Sequence, residues 1–102
     1  MEDLSRYSFN IHTKGDPNLT VPWFLMASYL YYKSEHQVGL MEDYDFDQMC
    51  KFMYDNWDNV EHIHKYLIDK EALSAGTGFY IEEYPSITVM AATQLAKEFG
   101  LI

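Results

Sequence analysis

The chain has 102 residues, 48% of them hydrophobic and 17% aromatic, with 16 Asp+Glu against 7 Lys+Arg and a formal net charge of −9 at pH 7. That length points to one domain, with room for a real core but not for a catalytic domain beside a regulatory one. The apolar content is enough to offset the entropy of ordering, which excludes a disordered acidic tail. The acidic surplus disfavours direct nucleic-acid binding, in which Lys and Arg displace counterions from phosphates, and leaves neutral, basic or small partners.

Residues 1–18 read as an N-terminal arm. Weak alternation around Tyr7, Phe9 and Ile11 ends in a turn at Gly15-Asp16-Pro17, so the arm is expected to be extended or a short strand. Its acidic start lacks the basic region and apolar core of a signal peptide. The next stretch predicts a helix over Leu19 to Ser34, with Thr20 as N-cap and Pro22 inside the first turn. It is apolar on nearly all sides through Trp23–Tyr32, which suits either a central place in the core or burial between copies of the chain. The run is well short of the ~18–20 residues that span a bilayer.

From Asp43 the residues Phe46, Met49, Cys50, Met53, Trp57 and Val60 recur at three- and four-residue spacings, which predicts an amphipathic helix to Val60. Its first turn holds Asp43, Asp45 and Asp47, where carboxylates suit the positive end of the helix dipole. The segment 19–60 should then form an antiparallel helical hairpin. Residues 61–102 form a C-terminal helical part. In it Lys70 to Ala75 is a helical turn stopped by Gly76, Gly78-Phe79-Tyr80-Ile81 is the only candidate extended element, and Ser86 caps a last helix. That helix carries its apolar stripe on Ile87, Met90, Ala91, Leu95 and Phe99 and ends at Gly100. The expected fold class is mainly α, a compact helical domain with at most a minor extended element.

Few local patterns carry chemistry. A single cysteine, Cys50, allows no internal disulfide and fits a reducing cytoplasm, and on the apolar stripe it is expected to be buried and inert. No serine lies in a nucleophile-elbow pattern. His62 and His64 have no third ligand at a recognised spacing, so no metal site is expected. Gly76-Thr77-Gly78 lacks the further glycines and Lys of a phosphate loop and reads as a turn. No catalytic residue and no required cofactor is expected.

One constellation stands out. Tyr31 and Tyr32 end the first long helix, and Asp43, Phe46 and Asp47 open the second, so a hairpin brings rings and carboxylates together. Aromatic rings can stack on a flat cationic ring, and carboxylates can accept hydrogen bonds from ribose hydroxyls. Equally, Tyr31 and Phe46 can belong to the core while the acids only complement the helix terminus.

This arrangement resembles the small N-terminal helical subdomain of bacterial NAD-dependent DNA ligases, in which a Tyr-His pair ends one helix and an Asp-x-x-Tyr-Asp motif opens the next. Here Tyr31-Tyr32 stands at the first motif and Asp43-x-x-Phe46-Asp47 at the second, over about Trp23 to Trp57. The remainder, with Glu61-His62-Ile63-His64-Lys65-Tyr66 and Ala75-Gly76-Thr77-Gly78, is similar to small phage-encoded proteins labelled as ligase-related. The resemblance implies a non-catalytic phage accessory protein that binds nicotinamide mononucleotide or NAD, or a host nucleic-acid-processing protein, through Tyr31, Tyr32, Asp43, Phe46 and Asp47, in the cytoplasm of a bacterial host cell. Tyr32 replaces the family's His and Phe46 its Tyr, so two hydrogen-bonding groups are absent. The ligase nucleophile motif Lys-x-Asp-Gly is also absent, Lys14-Gly15-Asp16-Pro17 being no equivalent, so no nick sealing by this chain alone is expected.

An alternative function follows from charge. Glu42, Asp43, Asp45, Asp47, Asp55, Asp58 and Glu61, with Glu82 and Glu83 as a second patch, could imitate backbone phosphates and block a basic nucleic-acid-binding surface on a host protein. Plain solubility is the simpler use of the same charge.

Overall fold

The computed structural model describes residues 16–34, 37–78 and 80–102. It is mainly α, and no strand occurs among the described residues. Among the described residues four α-helices follow in chain order: α1 (Pro17–Ser28), continued by a π-helical turn over Tyr29–Lys33, α2 (Asp43–Asp55), the single turn α3 (Lys70–Leu73) and α4 (Ser86–Glu98). Short 3₁₀ turns over Trp57–Asn59 and Lys65–Leu67 link α2 to α3. The expected arm falls largely on residues 1–15, outside the described residues.

Helix α1 starts earlier than the sequence predicts. Asp16 is the N-cap, its side chain accepting a hydrogen bond from the Asn18 N–H at 2.9 Å, and Pro17 takes the first helical position, where its missing N–H costs nothing. Thr20 is therefore not the cap. It is fully buried, its hydroxyl donates to the Pro17 carbonyl, and Pro22 lies inside the helix. Val21, Phe24, Leu25 and Leu30 are buried almost completely, as an all-round apolar helix in a core requires.

Helix α2 packs on α1, with Phe46 stacked on Phe24 at 5.5 Å between ring centroids. Met49, Cys50 and Met53 are buried as the spacing predicts. The helix stops at Asp55 rather than Val60, because the Asn56 side-chain amide folds back to donate to the Phe52 carbonyl at 2.8 Å. Lys65 then holds the next turn, its Nζ donating to the Trp57 carbonyl at 2.9 Å while lying over the indole. Val60 is still buried, so the periodicity located a core residue but not its backbone conformation.

Helix α4 departs most from expectation. Its buried residues are Thr88, Ala92 and Ala96, while Ile87 and Met90 are 69% and 71% exposed and Ala91 faces solvent as well. Leu95 and Phe99 pack against the core but are only partly buried. Small side chains let α4 lie close against the bulky surface of α1, so shape rather than apolarity chooses the face. Ser86 is the first helical residue and does not cap; Pro85 occupies the cap position and its carbonyl receives the Thr88 N–H at 2.9 Å. The end is as predicted: Gly100, at φ 74°, closes a Schellman turn in which the Leu101 N–H donates to the Ala96 carbonyl at 2.8 Å.

The candidate extended element Gly78–Ile81 is not a strand among its described residues. Tyr80 sits in a turn, and the Ile81 N–H donates to the Gly78 carbonyl at 3.1 Å. No described helix is long and apolar enough to cross a membrane.

Candidate functional site

The site is built where the first long helical segment ends and the second begins. The π-helical turn closes with the Ser34 N–H donating to the Tyr29 carbonyl at 2.8 Å, and the Val38 N–H returns to the Leu30 carbonyl at 3.1 Å. Leu40 and Met41 then plunge back into the core and fix the connection. Helix α2 opens at Asp43 with no side-chain cap, and its first turn is acidic, the arrangement that the exposed amides and dipole of a helix N-terminus favour.

Between these elements lies a cleft of about 290 Å³. All five residues that the sequence singles out, Tyr31, Tyr32, Asp43, Phe46 and Asp47, line it. Tyr31 is 56% exposed, so it is not a core residue, and its ring meets that of Tyr32 edge-on at 4.9 Å. Phe46 serves both purposes: half-buried, it stacks on Phe24 behind and walls the cleft in front. The Asp43 and Asp47 side chains are exposed to solvent. The cleft therefore has the two tyrosines on one side and Asp43, Phe46 and Asp47 of α2 on the other.

Sequence reading misses the third wall, because it comes from far along the chain. Gly76 lines the cleft, and the Tyr32 hydroxyl is 3.2 Å from Thr77 Oγ1, which ties the aromatic side to the Gly76-Thr77-Gly78 turn. Gly76 has φ 66°, and a Cβ placed there would lie 2.8 Å from Asp47 Oδ1. Gly78 is packed as tightly, since a Cβ there would collide with the Ser28 hydroxyl. Both glycines are thus fixed by close approach to α1 and α2, which a turn motif alone does not reveal.

Ser28 also lines the cleft, and the sequence gives no reason to select it. Its hydroxyl and that of Tyr84 are buried, and neither completes a hydrogen bond of standard geometry. Burial pushes the Tyr84 phenol well up, and the nearby Ser28 hydroxyl offsets part of that push.

Other candidates lie elsewhere. Cys50 is buried, and burial together with the neighbouring Asp47 carboxylate pushes its thiol up to about 12, the state of an inert side chain. His62 and His64 sit in the loop after α2, rings 5.5 Å apart, with the His64 N–H donating to His62 Nδ1 at 3.1 Å. Among the described residues no group of three His, Cys, Asp or Glu side chains is placed to hold a metal. Of the acidic patch, Glu42, Asp43, Asp47, Asp55, Asp58, Glu61, Glu82 and Glu83 are exposed, and Asp45 is partly so.

Comparison of the chain with protein-family models, curated proteins and solved structures gives no match. The site's chemistry therefore rests on its own residues.

Proposed function

We propose that this chain is a non-catalytic binding module for a nicotinamide nucleotide, an accessory protein of the phage-encoded, ligase-related kind that its motif residues resemble, acting in the cytoplasm of a bacterial host. The observation that carries the reading is the meeting of Tyr31, Tyr32, Asp43, Phe46 and Asp47 in one cleft. The tyrosine faces offer a stacking platform to a flat cationic ring, Phe46 excludes water behind it, and the two carboxylates accept hydrogen bonds from ribose hydroxyls while complementing the ring's positive charge. The cleft's 290 Å³ lies at the small end of the ~300–1,000 Å³ typical of ligand sites, which suits the nicotinamide half of a dinucleotide better than the whole. The buried, protonated Cys50 and the missing Lys-x-Asp-Gly motif support binding without turnover.

Thermal melting with nicotinamide mononucleotide tests the proposal. At a concentration ~100 times Kd, linkage adds about 2.7 kcal/mol to stability, a rise of roughly 13 °C in Tm for a domain of this size. Asp43→Ala and Tyr31→Ala should lose that rise while melting close to the wild type without ligand, because both side chains are exposed. An unchanged Tm at millimolar ligand would remove the reading.

A second reading has an observation of its own. Among the described residues no carboxylate of the acidic patch is ion-paired, and two lysines are turned instead onto rings, Lys65 over Trp57 and Lys70 over Tyr54. Unpaired exposed charge of one sign suits docking on a basic, nucleic-acid-binding surface of a host protein. Such a complex should dissociate as salt rises; one indifferent to ionic strength would count against charge mimicry.

A further inference from the structure

The cleft that we assign to a nicotinamide nucleotide has two carboxylates and no cation among its lining residues. A nucleoside faces no electrostatic objection there. A nucleotide does, because its phosphate brings a further one to two negative charges beside Asp43 and Asp47. A counter-charge has to come from the next part of the surface.

That part is a second cleft, of about 400 Å³, which shares Asp47 and Gly76 with the first. Lys51 lines it, one helical turn beyond Asp47 on α2, together with Tyr54 of the same helix and the Leu73–Gly76 turn. The Lys51 side chain is exposed, and among the described residues it has no hydrogen-bond or ion-pair partner, Asp47 included. A second cation is close by, since Lys70 Nζ rests 5.1 Å from the centre of the Tyr54 ring. The two clefts are contiguous, since Asp47 and Gly76 line both, and residue 76 has no side chain to stand between them; a Cβ there would lie 2.8 Å from Asp47 Oδ1.

We propose that the two clefts form one nucleotide site, with the ring and ribose in the first and the phosphate monoester passing over Gly76 to the Lys51 ammonium in the second. This deepens the proposed function and rests on it: it assigns the phosphate of the mononucleotide to Lys51 and the second cleft. Lys51 supplies the charge-assisted hydrogen bond that the acidic cleft cannot. Lys70, held on the Tyr54 ring, adds positive potential behind it.

Calorimetric titration with nicotinamide mononucleotide and with nicotinamide riboside separates the claims. The wild type should bind the mononucleotide ~10-fold more tightly than the riboside, as a single charge-assisted contact allows. Lys51→Gln, an exposed helix position where glutamine is an equally good helix former, should bring the two ligands to equal affinity by weakening the mononucleotide alone. Lys51→Arg should restore the preference, and Lys97→Gln on α4, which lines neither cleft, should leave it intact. Equal binding of both ligands by the wild type, or an undiminished preference in Lys51→Gln, would overturn the phosphate assignment while leaving the cleft reading in place. Binding of neither ligand would overturn both.

Discussion

Helices α2 and α4 have the same length, 13 residues, and meet α1 in opposite ways. Helix α2 puts its large apolar side chains inward, with Met49 and Met53 fully buried, and its polar first turn is left open to make a cleft. Helix α4 puts Ala92 and Ala96 inward and leaves Ile87 and Met90 in solvent. Hydrophobic period is decisive where a helix fills space. Where the partner surface is already bulky, side-chain size decides, and the apolar stripe becomes a poor guide.

The sharpest way to break this contrast is to enlarge a small contact. Ala92→Leu should cost about 1–3 kcal/mol by overpacking the α1–α4 seam, whereas Met90→Lys, two positions earlier but exposed, should stay within ~0.5 kcal/mol of the wild type. Urea unfolding of the two variants checks both. Equal losses would mean that α4 presents a different face.

The cleft wall gives a smaller effect with two readouts. Gly76→Ala should destabilise by about 1–2 kcal/mol because alanine is strained at a left-handed backbone. It should also weaken nucleotide binding by displacing the Asp47 carboxylate. Melting curves and titration measure the two parts separately.

The smallest expected effect is a pH dependence from the loop that follows α2. His62 is held below its ordinary value of 6.5, mainly by burial and secondarily by His64. Its folded form resists protonation more than the unfolded chain does, so its contribution to stability is complete above that value and is lost as pH falls through the slightly acid range. His62→Gln should flatten that loss in melts between neutral and mildly acid pH. An unchanged slope would show that His62 is not its source.

The mainly α class and the amphipathic face of α2 were readable because their causes are local: spacing, an acidic first turn, and glycines at the ends. So was the pairing of Tyr31, Tyr32, Asp43, Phe46 and Asp47, since a short connection puts the end of one helical segment beside the start of the next. What stayed hidden depends on contacts between distant residues. The Tyr32–Thr77 hydrogen bond spans 45 positions, and Gly76 lines the cleft only because its turn lies against Asp47. The end of α2 at Asp55 turns on one Asn56 side chain, and the start of α1 turns on Asp16-Pro17 outcompeting Thr20 as a cap. The π-helical turn over Tyr29–Lys33 has no signature in composition or period.

The most direct measurement is a titration of isotope-labelled protein with nicotinamide mononucleotide, followed through backbone amide NMR shifts. The account predicts saturable shifts clustered at residues 27–32, 39–51 and 74–78, with α4 unaffected. No shifts at millimolar ligand, or shifts centred on α4, would contradict the assignment of this cleft as a nucleotide site.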